Sequence, residues 1–144
     1  MIRRGILWNG FHNILWFVNT RFSCLCVHDG EHSFIPRWRP RFITRVVPED
    51  RCHLNGIGVV DGLPRYVTAH GATDTVEGWR ETKQEGGIAF DIESREIIAR
   101  GLSMPHSPRW HAGRLWVLDS VRGGLDYVDL QSGRYEAVIE LPGC

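Results

Sequence analysis

The sequence predicts an all-β protein, and three observations lead to this fold class. Short β-rich segments are separated by glycine-containing turns, an aromatic-led strand segment recurs at a step of about fifty residues, and no stretch keeps helical periodicity over ten residues. The composition is that of a folded chain, because 42% of the 144 residues are hydrophobic and 24% are charged. The chain is therefore long enough to bury one ordinary core.

The recurring segment organises the chain into three units, which we place at roughly residues 1–50, 51–101 and 102–144. A second marker supports this division, since the Gly-Gly-led string at 86–91 resembles the one at 123–129. The members of the recurring segment are residues 15–20, 65–68 and 115–120, in which Trp16, Tyr66 and Trp116 occupy the same place.

Each unit contains four short strands with turns between them. The first unit begins its innermost strand near Ile6, at the start of the chain, and Asp61-Gly62, Ala112-Gly113 and Ser132-Gly133 are typical turn residues. The strands are expected at 55–60, 65–70, 87–92 and 96–100 in the middle unit, and near 106–111, 114–119, 124–129 and 134–140 in the last.

Four strands in a unit of about fifty residues are typical of a β-propeller blade. The predicted architecture is therefore a β-propeller-type repeat of about three four-stranded blades. Three blades do not close a ring, which needs about four or more. We expect the chain to be a fragment of a larger propeller, and the alternative is a domain that closes by self-association.

Charge and hydropathy exclude several classes of partner. The formal net charge is zero, so no overall field attracts nucleic acid, and no apolar run is long enough to span a membrane. Two interpretations exist for the arginine-rich residues 36–51: a basic patch with interleaved aromatics, or a surface connection whose arginine stems cover neighbouring blades. We favour the connection. The start of the chain has no signal-peptide cleavage site, so a cytoplasmic location is expected.

The four cysteines do not have the spacing of a zinc site or a disulfide framework. Cys24 and Cys26 are two apart on a predicted strand and therefore share one face, while Cys52 and Cys144 lie far from them in the sequence. We expect reduced, buried thiols; a Cys-x-Cys redox or metal pair and disulfides are the alternatives.

The last hairpin predicts a histidine–carboxylate contact. If the hairpin centres between Ala112 and Gly113, His106 lies directly opposite Asp119 on the same face of the sheet. His106 and Asp119 are therefore the candidate catalytic residues for general acid–base chemistry. His111 is five residues from His106 and faces the other side, so the two histidines cannot chelate one metal.

Corresponding positions in the three units predict a polar rim at one mouth of a central channel. His53 shares one face of the strand with Asn55 if the strand extends that far. A divalent metal such as calcium, held by Asn55, His106 and Asp119, is one use of such a rim, and purely structural capping of strand ends is another. The rim residues are Asn19, Asn55, His70, His106 and Asp119.

A long excursion at residues 71–86 leaves the same rim. Loops on such a face often carry specificity. Trp79 and Arg80 are candidate ligand-binding residues that cover the channel mouth or stack on a ligand, and the alternative is that Trp79 packs on a neighbouring blade.

Five strings carry a family resemblance: Leu-Trp-Phe-Val-Asn-Thr (15–20), His-Leu-Asn-Gly (53–56), Pro-Arg-Tyr-Val-Thr-Ala (64–69), Gly-Leu-Ser-Met-Pro-His-Ser-Pro-Arg-Trp-His (101–111) and Gly-Arg-Leu-Trp-Val-Leu-Asp-Ser (113–120). They resemble a bacterial family of conserved hypothetical proteins with a propeller-like domain of unknown function. The resemblance covers roughly residues 6–143, and the chain departs from the pattern at its start, where residues 1–5 replace the usual lead-in to the first inner strand. It implies the fold but no activity, and members are longer than this chain.

A weaker similarity is to calcium-dependent lactonase and NHL-type propellers, which present Asn and Asp to a central metal. Asn55 and Asp119 fit that pattern loosely, and no glutamate ligand can be placed. The leading hypothesis is a module that binds a small molecule or a protein through its channel rim. The alternative is a metal-dependent hydrolase of lactonase type that uses Asn55, His106 and Asp119.

Overall fold

The structure, a computed structural model, describes residues 3–9 and 14–141. Within these ranges, three antiparallel sheets follow one another along the chain, and each consists of four consecutive strands. The first sheet contains β1 (Arg3–Asn9), β2 (Ile14–Asn19), β3 (Cys24–His28) and β4 (Ile35–Trp38); the second β5 (Leu54–Val60), β6 (Leu63–Ala69), β7 (Gly87–Asp91) and β8 (Glu96–Leu102); the third β9 (Pro105–His111), β10 (Arg114–Asp119), β11 (Gly124–Val128) and β12 (Tyr135–Glu140). Short 3-10 helices span Thr20–Phe22 and Gly78–Thr82.

The all-β fold class is confirmed, and the hairpin turns explain why the strand boundaries were predictable. Asp61 and Gly62 have φ values of 49° and 79°, and Ala112 and Gly113 have 49° and 74°. Two consecutive left-handed residues make the turn whose twist matches that of the flanking strands, and glycine at the second position adopts this conformation without steric cost.

The first strands of the sheets lie next to each other, because β5 contacts both β1 and β9. Close approach between β5 and β9 depends on glycine at position 56. A Cβ atom at Gly56 would overlap Pro108 and would lie 2.7 Å from Thr68 Oγ1. Pro105 packs in the same way against Gly87. Proline on one strand and glycine on the other therefore set the spacing between the second and third sheets.

Two apolar clusters hold the sheets together. The first lies between the first and second sheets, and the second lies between the second and third. Burial of each large side chain contributes about 1.5–3 kcal/mol, so these clusters are the main source of tertiary stability. The first includes Val18, Leu25, Ile43, Leu54, Ile57, Val67 and Ile88, and the second includes Tyr66, Leu102, Leu115, Val117 and Val128.

A β-bulge in the third sheet overturns the predicted contact between His106 and Asp119. Arg114 pairs with His111 as expected, but the register shifts between Trp116 and Leu118. His106 consequently lies opposite Leu118, and Asp119 lies opposite Pro105. Because successive residues point to opposite faces, His106 and Asp119 lie on opposite faces of the sheet. Ser107, inside the bulge, has a left-handed φ of 52°.

Three of the four cysteines, Cys24, Cys26 and Cys52, are buried free thiols. Cys24 Sγ and Cys26 Sγ are 3.4 Å apart, which agrees with the expectation that they share one face. Cys144 lies outside the described residues. Across the described ranges, we find no helix with the length and apolar character needed to cross a bilayer.

Candidate functional site

A cleft of about 450 Å³ opens beside the hairpin of β5 and β6, and we call it the His53 cleft. It is built from three separate segments: the 3-10 helix that follows β2, the connection that leads into β5, and the excursion between β6 and β7. Its lining residues are Thr20, Arg21, Pro48, Glu49, Asp50, His53, Val76, Glu77 and Arg80.

The wall of the cleft contains a histidine–carboxylate pair, in which His53 Nδ1 lies 2.7 Å from Asp50 Oδ2. The carboxylate fixes Nδ1 as the protonated nitrogen, which leaves Nε2 as an acceptor in the neutral ring. Both side chains are largely buried, with 14% of His53 and 20% of Asp50 exposed. The pair can therefore present a fixed donor and acceptor pattern to a neighbouring group.

Left-handed backbone is concentrated around this pair. Asp50, His53 and Glu77 have φ values of 46°, 51° and 46°. For non-glycine residues this conformation is uncommon, and sparsely populated backbone states of this kind cluster at functional sites. Backbone hydrogen bonds hold the segments in place: Asp50 N–H donates to Arg21 O at 2.8 Å, and Glu77 N–H donates to Glu49 O at 3.2 Å.

The His53 ring packs against two other aromatic side chains. The ring stacks on His70 with centroids 4.4 Å apart and contacts Trp79 at 4.3 Å. His53 directly precedes β5 and His70 directly follows β6, so both lie at the same end of one hairpin. Trp79 is buried and also contacts His70, while the Arg80 guanidinium lies 4.6 Å from its ring centroid. Trp79 therefore packs on residues that flank its own sheet.

The charged residues of the cleft include both signs. Arg80 donates to Glu77 at 3.0 Å, and this hydrogen bond lowers the pKa of Glu77 below its usual range. Glu49 is held by Arg51 at 2.7 Å. Arg21 makes no ion pair with any side chain in the described part of the chain, so its guanidinium is available to a bound molecule.

Two buried oxygen atoms on cleft-lining residues have no hydrogen-bond partner among the described residues. They are Thr20 Oγ1 and Asp50 Oδ1. Both polar atoms of the Asn19 side-chain amide, in the residue before Thr20, also lack a hydrogen-bond partner among the described residues. A buried polar group left unpaired costs about 1–3 kcal/mol. These atoms are therefore buried polar groups that the described residues leave without a hydrogen bond.

Three of the predicted ligand-binding residues lie close together, since Trp79 contacts both His70 and Arg80, but only Arg80 lines the His53 cleft. Asn55 is used inside the protein instead. Its Nδ2 donates to Pro105 O at 2.8 Å, and its Oδ1 accepts from Thr68 Oγ1 at 2.7 Å.

The predicted catalytic residues have other partners. His106 Nδ1 lies 3.0 Å from Ser107 Oγ. Asp119 Oδ2 accepts from the Ser103 N–H at 3.2 Å and lies 3.4 Å from Arg122 Nη1. None of these contacts joins His106 to Asp119, so they do not form the histidine–carboxylate pair that the hairpin predicted.

One group of three donor side chains in the described ranges is close enough to share a metal ion: Asp29, Glu31 and His32. All three are exposed and lie in the turn between β3 and β4. Asp29 Oδ1 accepts the backbone N–H groups of Glu31 and His32, which is an ordinary turn arrangement. The predicted metal residues Asn55, His106 and Asp119 do not belong to this group.

The partnership of Asp50 and His53 was missed at the level of sequence. We expected His53 to share a face with Asn55 on an extended strand, but β5 begins at Leu54 and the left-handed φ of His53 turns it out of the strand. The Asp-x-x-His spacing, just after Pro48 and before a strand, was the available signal.

The sheets and the cleft together define an all-β domain with a polar site formed by loops beside one hairpin. Over residues 6–144 the chain matches the family described as Domain of unknown function (DUF4915), and it belongs to that family. The family resemblance seen in the sequence is thereby confirmed at this level. No curated protein matches the chain.

Proposed function

We propose that the three sheets are neighbouring blades of one larger propeller, with units at residues 1–50, 51–101 and 102–144. The contacts of β5 with both β1 and β9 support this arrangement, because innermost strands of a propeller gather around one axis. An experimental structure of the complete gene product tests the proposal. A closed ring of sheets supports it, whereas a linear stack of sheets overturns it.

We propose further that the domain is a binding module and that its ligand occupies the His53 cleft. The observation that carries this proposal is a cleft of about 450 Å³ whose lining includes both the His53–Asp50 pair and the guanidinium of Arg21, which is unpaired among the described residues. Such a lining offers a ligand an oriented imidazole and a cation.

The charges of the cleft favour a small polar molecule with groups of both signs, such as an amino acid. Arg21 attracts a carboxylate, and the carboxylate of Asp50 attracts an ammonium group. A cleft of about 450 Å³ matches the lower part of the range for small-molecule sites. The proposal therefore names a zwitterionic ligand, bound without covalent chemistry.

The metal-dependent hydrolase is not favoured. Asn55 uses both ends of its amide on Thr68 and Pro105, and the bulge separates His106 from Asp119. A metal at the predicted place would have to break these hydrogen bonds before it gained a ligand.

A thermal-shift and NMR titration with the free amino acids tests the binding proposal, with glucose and succinate as uncharged and purely anionic comparisons. We expect at least one amino acid to raise the melting temperature and to shift resonances of His53 and Trp79. A ligand that binds only the native state stabilises it, and the stabilisation grows with the logarithm of the ratio of ligand concentration to Kd.

Variants locate the site. Arg21→Gln and Asp50→Asn are expected to weaken binding about tenfold, and asparagine tolerates the left-handed backbone at position 50. Arg134→Gln, at an exposed arginine directly before β12, is the matched control. If no amino acid shifts either signal, or if all three variants bind alike, the proposal is overturned.

A further inference from the structure

A second cleft, of about 410 Å³, lies at the outer edge of the first sheet, and every charged residue that lines it is an arginine. We call it the arginine cleft. Three arginines come from β4 and the segment after it, and the fourth comes from the turn between β7 and β8 in the second sheet. The residues used below are Arg37, Trp38, Arg39, Pro40, Arg41 and Arg95.

These guanidinium groups are poorly neutralised by the protein. Arg37, Arg39 and Arg95 make no ion pair with any side chain of the described ranges. Arg41 Nη1 lies 3.6 Å from Glu96 Oε1, but both side chains are about two-thirds exposed (67% and 66%). An ion pair of that kind contributes little, so the cleft keeps a net positive charge.

The segment that carries Arg37, Arg39 and Arg41 is anchored to the protein core. The Trp38 ring packs edge-on against Phe90 with centroids 5.8 Å apart, and the Ile43 N–H donates to Pro40 O at 3.0 Å. Ile43 itself is fully buried in the first apolar cluster. These contacts fix the backbone from which the three arginines extend.

The concentration of charge is local. The whole chain has a formal net charge of zero, yet four like charges surround one concave site without an acidic partner in its lining. Mutual repulsion among them disfavours the free state, and a bound anion relieves it. Guanidinium groups bind phosphate oxygens through two parallel hydrogen bonds, which makes arginine well suited to phosphate recognition.

We propose that the arginine cleft binds a small anion that contains a diphosphate or triphosphate group. Four cations call for a ligand with several negative charges in a small volume, which a chain of phosphate groups supplies. An extended nucleic acid is disfavoured, because the positive surface is confined to one cleft and the chain as a whole is neutral. This site differs from the His53 cleft, whose lining contains both signs of charge.

Isothermal titration calorimetry with sodium tripolyphosphate, at low ionic strength and without divalent metal, tests the proposal. We expect one binding event per chain that weakens as sodium chloride is added. Arg37→Gln and Arg95→Asn are each expected to weaken binding about tenfold or more, because each removes a charge-assisted hydrogen bond. Asparagine at position 95 accommodates the left-handed φ of 61°.

Arg45→Gln is the matched control, since Arg45 is exposed in the same connecting segment but does not line the cleft. Its affinity for tripolyphosphate is expected to stay within about twofold of that of the unmodified protein, because a surface charge outside the cleft acts on the ligand only through solvent. Melting temperatures of all three variants show whether any loss comes from unfolding.

Further titrations with ADP and ATP distinguish two sources of the same phosphate group. Tighter binding of ATP than of tripolyphosphate indicates a nucleotide, and equal affinity indicates an inorganic or non-nucleotide phosphate. The proposal is overturned if tripolyphosphate releases no heat of binding, or if Arg45→Gln weakens binding as much as Arg37→Gln and Arg95→Asn do.

Discussion

The carboxyl groups of Asp119 and Asp126 are neighbours on one face of the third sheet. Asp119 lies opposite Gly124 and Asp126 lies opposite Val117, so both side chains are on one face in a diagonal relationship. Gly124 leaves room between them, because a Cβ atom there would lie 3.0 Å from Asp126 Oδ1. Burial and the negative charge of Asp119 together raise the pKa of Asp126 to about 6.

This raised pKa makes stability depend on pH. The folded state holds the Asp126 proton more tightly than the unfolded chain, whose aspartates titrate near pH 4. The stabilisation from Asp126 is therefore complete below about pH 4 and is lost as the pH rises through about 6.

Asp126→Asn is expected to raise the free energy of unfolding at pH 7.5 by about 1 kcal/mol, because it removes a buried charge next to Asp119. It is also expected to flatten the pH dependence between about pH 4 and pH 6. Urea denaturation at several pH values measures both effects. Asp61→Asn, at an exposed turn residue, is the control. The prediction is contradicted if Asp126→Asn is no more stable than the unmodified protein at pH 7.5, or if its advantage is just as large at pH 4.

Arg51 connects the segment before β5 to the excursion after β6, because it binds Glu49 at 2.7 Å and Asp74 at 2.8 Å while its side chain is only 8% exposed. We expect Arg51→Met to lower the melting temperature by several degrees, since it leaves two partly buried carboxylates without their cation. Arg80→Met removes the exposed pair with Glu77 and is expected to have little effect. Equal shifts for the two variants in a thermal melt would show that burial does not govern these ion pairs.

The two glycines of β5 differ in the space around them. A Cβ atom at Gly56 would overlap Pro108, whereas one at Gly58 would lie 3.3 Å from Pro108 O. Gly56→Ala is therefore expected to destabilise by about 1–3 kcal/mol, and Gly58→Ala by less than about 1 kcal/mol. Chemical denaturation of both variants checks this order, and the reverse order would show that β5 and β9 are not this close.

Trp79 is expected to be important for stability even though it lies in a loop excursion. It is buried against His53 and His70, so Trp79→Ala is expected to cost about 3–5 kcal/mol. Trp116→Ala, at a half-buried tryptophan of the third sheet, is expected to cost clearly less. Denaturation followed by circular dichroism compares them. A loss at Trp79 no larger than that at Trp116 would mean that the excursion is not anchored by this ring.

The strands were predictable because their signals are local. Alternation of β-rich residues and the turn pairs at 61–62 and 112–113 act within a few positions, and the observed strands follow them closely. The register next to Asp119 was not predictable in the same way. A single bulge at Ser107 moves every later partner by one residue, and no turn signal marks it.

The sequence by itself determined the all-β class, the four-strand pattern of the units and the family, since propensity, alternation and turn chemistry are properties of neighbouring residues. Only the tertiary structure decided which polar residues meet. Asp50, His53, His70 and Trp79 come together because hairpin ends and loops converge there, and Arg95 joins Arg37 because two sheets pack side by side. Contacts of this kind depend on the packing of distant segments, which a local pattern does not specify.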